Sequence, residues 1–128
     1  MSDIGIFTIG HERMRWLASR VAVVASNVAN ADTPGYRAKD IPSFEEAVGS
    51  VQMQMSVTSP QHLAPQSIGS ERYGVLVREQ PSEKHSGNSV SLDGEMAILG
   101  ESRGQQAAVA GIMGSFNRML LSSVRGGA

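Results

Sequence analysis

The chain has 128 residues, a formal charge of −1 from 11 Lys and Arg against 12 Asp and Glu, and no cysteine. Charges of both signs are scattered without a block of like sign, which gives no support to nucleic-acid or anionic-membrane binding. The missing cysteines exclude disulfides, thiolate nucleophiles and cysteine metal sites. Apolar residues make up 41% of the chain but aromatic residues only 5%, so Ala, Val, Leu, Ile and seven Met supply the packing surface, a composition suited to helices.

The N-terminus lacks a basic start, and Gly10-His11-Glu12-Arg13 interrupts its apolar stretch, so no cleavable signal is expected. The longest uncharged run of the first helix, residues 21–31, falls short of the roughly 20 residues a membrane span needs. A soluble protein follows, with any secretion by a route that removes no peptide.

Phe7, Gly10, Met14, Leu17, Val21, Val24 and Val28 alternate steps of three and four, the seam of a coiled-coil helix. The rest of that helix is also apolar, with Ala22, Val23, Ala25 and Ala29 off the seam and Arg20 as the one charge between Ala18 and Ala31. Two readings fit: a helix with neighbours on several sides, or the central helix of an ordinary small globule. Trp16, off the seam, is assigned by default to intrachain packing. The helix should stop over 30–32, because Thr33 precedes Pro34 and Pro34-Gly35 suits the centre of a type II turn leading to Tyr36.

A short helix is expected over 43–53, with Ser43 as cap and Glu45 and Glu46 in the first turn. Residues 54–90 are rich in Ser, Pro, Gln and Gly and offer one strand pattern, 73–77, followed by a loop over 83–88. The last helix is expected from a Ser91 cap, with Asp93 and Glu95 near its start, to Val124. Its expected seam is Leu92, Met96, Leu99, Arg103, Gln106, Ala110, Met113, Asn117, Leu120 and Val124, with Phe116 beside it. One residue further round runs a second stripe, Gly100, Gly104, Ala107, Gly111 and Gly114. Each interior glycine costs about 1 kcal/mol relative to alanine, so this helix is marginal alone. Either it is ordered by assembly, with another helix close to the stripe, or the glycines are tolerated drift.

No catalytic or ligand constellation emerges. His11, His62 and His85 are far apart and lack metal-ligand spacing. Glu12, Glu45 and Glu46 read as solvated helix charges in the absence of any predicted cleft. There is no nucleophile elbow and no phosphate loop. The expectation is a protein that is not an enzyme and takes no cofactor or metal.

The segment Ala25-Ser26-Asn27-Val28-Ala29-Asn30-Ala31-Asp32-Thr33-Pro34-Gly35-Tyr36 closely resembles the signature of flagellar basal-body rod and hook proteins. Its continuation through Ala47, together with Gly87-Asn88-Ser89-Val90-Ser91-Leu92-Asp93-Gly94-Glu95-Met96, is similar to the proximal-rod members of that axial family. Turn chemistry alone does not require both Asn27 and Asn30 on an Ala-rich helix, so these residues are read as reaching groups near the helix end. The rod-signature set is therefore Asn27, Asn30, Thr33, Pro34, Gly35 and Tyr36. The resemblance implies a structural subunit of the periplasmic proximal rod, joining the inner-membrane ring to the distal rod and transmitting torque. It also implies signal-peptide-independent export by the flagellar type III apparatus. The implied partners are further copies of the subunit, the rod proteins FlgC and FlgF, FliE, the ring protein FliF and the export apparatus. Phe44 and Val48 fit a short Phe-x-x-x-apolar pattern resembling the export-gate element of early substrates, and equally fit ordinary i, i+4 packing. Relatives usually carry more Ala, Leu and charge where this chain has the glycine stripe.

The expected fold is mainly α: two long terminal helices paired as an antiparallel coiled coil, with a short helix and an irregular, partly β-extended middle. One domain covers the chain, divided into a first helix to residue 32, a middle over 33–90, a last helix over 91–124 and a frayed tail over 125–128. Met14, Leu17, Val21, Val24, Val28, Leu99, Met113, Phe116 and Leu120 are the expected helix contacts. The rivals are a cytoplasmic helical adaptor or secretion chaperone, separated by location, and a wall hydrolase, for which no carboxylate arrangement is evident.

Overall fold

A computed structural model describes residues 5–54, 73–79 and 84–126. Helix α1 spans Gly5–Ala29, strand β1 Lys39–Asp40, helix α2 Phe44–Gln54, strand β2 Leu76–Val77 and helix α3 Leu92–Arg125. The terminal helices pack along each other and run antiparallel. Gly10 lies against Met113, Arg13 Nη2 donates to Gln105 Oε1 at 2.8 Å, and Asn27 Nδ2 donates to Glu95 Oε2 at 3.0 Å. At Gly10 the approach is closest, since a Cβ there would meet the Met113 sulfur at 2.7 Å.

Local chemistry sets the ends of the elements. The α1 helix ends at Ala29, slightly earlier than the sequence suggests, and Asn30 to Thr33 continue as tight turns before Pro34 stops the chain from resuming a helix. Gly35 has φ +71° and Tyr36 N donates to Thr33 O, which makes 33–36 the expected type II turn. Ser43 caps α2 in a reciprocal box, with Glu46 N donating to Ser43 Oγ and Ser43 N to Glu46 Oε2. Ser91 caps α3, its side chain accepting from Gly94 N.

The strand expected over 73–77 shrinks to Leu76–Val77, which pairs antiparallel with Lys39–Asp40 in the register Lys39↔Val77 and Asp40↔Leu76. That partner strand was not foreseen, being two residues long with no alternation to betray it. His62, the rest of the stretch 55–72 and the last two residues of the expected tail lie outside the described residues.

The core sits where α1 meets β1 and α2. Trp16, Leu17, Val23, Ile41 and Ala47 form it, with Phe44, Tyr73 and Val109 packed against it. Trp16 belongs to this intrachain core: its ring meets Phe44 edge-on at 6.1 Å and its Nε1 donates to Pro42 O at 2.9 Å. The Arg13 guanidinium lies over both rings, 4.7 and 4.8 Å from their centroids.

The buried face of α3 shares Leu99, Gln106 and Met113, all half-buried, with the expected seam but is centred beside it. Glu95 and Ser102 are the buried residues, and Ile98, Gln105, Val109 and Met113 complete the half-buried line toward α1. Leu92 and Met96, expected to start the seam, are 51% and 54% exposed, and Arg103 is exposed as well. The shift has a physical cause: the first turns of α3 meet the polar end of α1 around Asn27, where hydrogen-bonding side chains pack better than apolar ones.

Candidate functional site

Among the described residues no cluster of three His, Asp or Glu side chains could hold a metal ion, and no helix is long and apolar enough to cross a membrane. The molecule's distinctive chemistry lies at the junction where α1 ends.

Asn27 is the centre of that junction and is completely buried. Its Nδ2 donates to Lys39 O at 2.7 Å and to Glu95 Oε2 at 3.0 Å, while its Oδ1 accepts from Lys39 N at 2.9 Å and from Tyr36 OH at 3.4 Å. One side chain thereby joins α1, β1 and α3. The second signature asparagine acts locally, since Asn30 Nδ2 donates back to Ser26 O and its Oδ1 accepts from Thr33 Oγ1. Asn27 and Asn30 are therefore unequal: the first ties elements together and the second closes the helix end.

The turn itself is held by the loop that precedes α3. Asn88, buried, donates through Nδ2 to Asn30 O at 2.9 Å and Thr33 O at 2.7 Å, giving each of these turn carbonyls a second donor beside its backbone one. Gly35 N donates to Ser86 O, Lys84 Nζ to Ala31 O, and Ser89 N to Tyr36 O. Gly87, at φ +74°, passes close to the Gly35 backbone. Thr33, Pro34 and Gly35 remain exposed, and Tyr36 is half-buried. The two sequence stretches that carried the family resemblance, 25–36 and 87–96, are thus brought into direct contact.

A charged cluster completes the junction. Glu95, fully buried, accepts from Arg78 Nη1 at 2.6 Å, and Arg78 Nη2 donates to Asp40 Oδ2 at 2.8 Å. Asp40 Oδ1 also lies 3.5 Å from Arg20 Nε, an ion contact outside hydrogen-bonding geometry, so that the buried Nε has no hydrogen-bond partner. Sequence reasoning missed the roles of Arg78, Asp40 and Asn88, and took Glu95 only as a first-turn acid. The available signal was a carboxylate at a position one step before the expected seam.

The other expected contact residues divide by depth. Leu17 and Val24 are buried, Met14, Val21, Val28, Leu99 and Met113 are half-buried, and Phe116 and Leu120 are exposed. Phe44 and Val48, on α2, are half-buried. Past Met113 exposed apolar side chains occupy more than one face of the helix: Met119, Leu121 and Val124 are all more than half exposed, Val124 at 77%, as is Ile112 just before Met113. Measured from Gly10 opposite Met113, α3 runs about two turns, or roughly 10 Å, beyond the first described turn of α1. An open apolar hollow with a volume of about 500 Å³ lies against Arg118, Leu121, Ser122 and Arg125 at that end.

Comparison with known proteins decides the family. The sequence pattern of the flagella basal body rod proteins matches residues 8–37, the stretch that includes Asn27 and the Pro34-Gly35 turn. The flagellar basal body rod protein FlgB of Agrobacterium fabrum is 36% identical, covering 98% of this chain and 96% of its own length. The chain belongs to the FlgB family. FlgB of Salmonella typhimurium is 27% identical over 91% of this chain and 90% of its own length, and that of Bacillus subtilis 31% identical over 76% of each. Similarity to FlgB along nearly the whole chain makes this a structural protein of the flagellar basal body rod, and the junction is where the FlgB signature is spent on holding three chain segments together.

Proposed function

We propose that the chain is a building block of the proximal rod, packed through α3 against neighbouring rod subunits, joining the inner-membrane ring to the more distal rod and transmitting torque. The observation that carries this reading is the exposure of Met119, Leu121 and Val124 on a stretch of α3 that runs beyond the described part of α1, with Ile112 exposed just before it. A helix surrounded by water is polar on its free faces, and contiguous exposed apolar surface marks a contact site. The neighbours proposed are further copies of the chain, FlgC, FlgF, FliE and the ring protein FliF, reached after export through the flagellar type III apparatus. Mechanical continuity needs side-by-side burial rather than a reactive group, and the junction supplies the rigid frame from which α3 projects.

The double substitution Leu121→Asp and Val124→Asp tests the proposal. Both residues are exposed in the single chain, so its circular dichroism should be unchanged while incorporation into purified basal bodies and swimming are lost. Normal incorporation of the folded variant would overturn the assignment of α3's free end to subunit contact.

A further inference from the structure

The charged cluster at the junction is more than local cohesion. Glu95 sits in the first turns of α3, Asn27 at the end of α1, and Asp40 on β1, whereas Arg78 follows β2 and enters only after the chain has left at Asp40 and returned. Among the described residues the charged groups linked to the Glu95 carboxylate form a chain: Arg78 touches it, Asp40 shares that Arg78, and Arg20 from α1 faces Asp40. We infer that Arg78 acts as a latch, the counter-ion brought by the returning arm of the middle segment, without which the first turns of α3 do not stay packed on α1.

The argument rests on burial and sequence separation. Glu95 is 0% exposed and its carboxylate accepts from one neutral amide, Asn27, and one cation, Arg78. A buried carboxylate without a cation is strongly unfavourable, and it is relieved only by leaving the interior or by taking up a proton, which costs free energy at a pH above the carboxylate range. Arg20 does not substitute, because it is engaged with Asp40 and lies over the Trp16 ring at 5.4 Å. The helix has little local preference to hold it in place, since Gly94 and Gly100 flank the buried residue. The backbone of the arm is fixed in the same step, as Arg78 N donates to Ala38 O at 2.8 Å and β2 pairs with β1. Arg78 is thus a positioning residue: with one guanidinium it fastens the arm to β1 and neutralises the group that would otherwise expel the start of α3.

The latch predicts a conditional response, read by amide hydrogen exchange of the free full-length chain. Arg78→Ala should speed exchange of the amides of residues 95–99 by at least about tenfold, a fold-change set by the loss of a buried charge partner, with those beyond Gln105 little changed. In a Glu95→Gln background no buried charge remains to be neutralised, so the same Arg78→Ala change should loosen Arg78 N–H and the arm but leave 95–99 protected. If Arg78→Ala alone fails to fold while the double variant folds, the latch is likewise supported. Equal loosening of 95–99 in both backgrounds, loosening of the arm alone in both, failure of both variants to fold, or absence of protection at 95–99 in the unsubstituted chain would each overturn it. None of these readings depends on assembly, so the latch and the rod-contact proposal stand or fall separately.

Discussion

At the scale of single residues, the two signature asparagines make a controlled comparison. Asn27→Ala removes two donors and an acceptor from a fully buried site and leaves Lys39 N and one oxygen of Glu95 short of partners. The expected cost is about 3 kcal/mol, since groups left unsatisfied in the interior carry their full desolvation penalty. Asn30→Ala breaks contacts at a half-exposed helix end where water replaces the lost partners, and should cost under about 1 kcal/mol. Urea titration of both variants checks the ranking, and equal losses would contradict the central place given to Asn27. Ser102 offers the opposite sign. Its hydroxyl is buried without a hydrogen-bond partner on the face turned to α1, so Ser102→Ala removes an unpaired polar atom and adds helix preference. A gain of about 1 kcal/mol in the same titration is the expected result.

At the scale of elements, what the sequence disclosed depended on how local the cause was. The stop of α1, the start of α2 at Ser43 and the start of α3 at Ser91 were legible because each is written in a few adjacent residues: Thr33-Pro34-Gly35, Ser43 with Glu46, and Ser91 ahead of Gly94. The α1 face carrying Leu17 and Val24 was legible for the same reason, an apolar repeat on one helix. The working face of α3 was hidden because its line through Glu95, Ser102 and Gln105 is polar or small, while the more apolar line through Leu92 and Met96 points outward. Strand β1 was hidden because its order comes from Val77 and Leu76, far along the chain. The glycine stripe was legible as a pattern but not as a direction, and the structure turns it away from α1: a Cβ added at Gly100, Gly104, Gly111 or Gly114 would meet nothing within 4 Å. Replacing these four glycines by alanine should therefore stabilise α3 in the free chain by about 1 kcal/mol per site, read as a higher melting temperature by circular dichroism. Incorporation of that variant into basal bodies then separates the two readings of the stripe, because a neighbouring helix at close range would be pushed off by four new methyl groups and tolerated drift would not.

At the scale of the whole molecule, the junction and the free end of α3 divide the labour: one fixes the antiparallel helix pair, the other presents apolar surface past it. Phe44 stands apart from both and permits the sharpest separation of export from folding. In the folded chain it packs edge-on against Trp16 beneath the Arg13 guanidinium, so an export gate would find it available only before that packing forms. Phe44→Ala and Trp16→Ala damage the same contact from opposite sides. Trp16 is buried and Phe44 half-buried, so Trp16→Ala should cost more, about 3 to 5 kcal/mol against about 2 kcal/mol for Phe44→Ala. If Phe44 with Val48 forms the element read by the export apparatus, the order inverts in secretion: Phe44→Ala lowers the amount of chain reaching the periplasm several-fold, while the more destabilising Trp16→Ala leaves it near the unsubstituted level. Secretion that instead follows stability, falling further for Trp16→Ala, would assign Phe44 to packing alone and leave export recognition to another part of the chain.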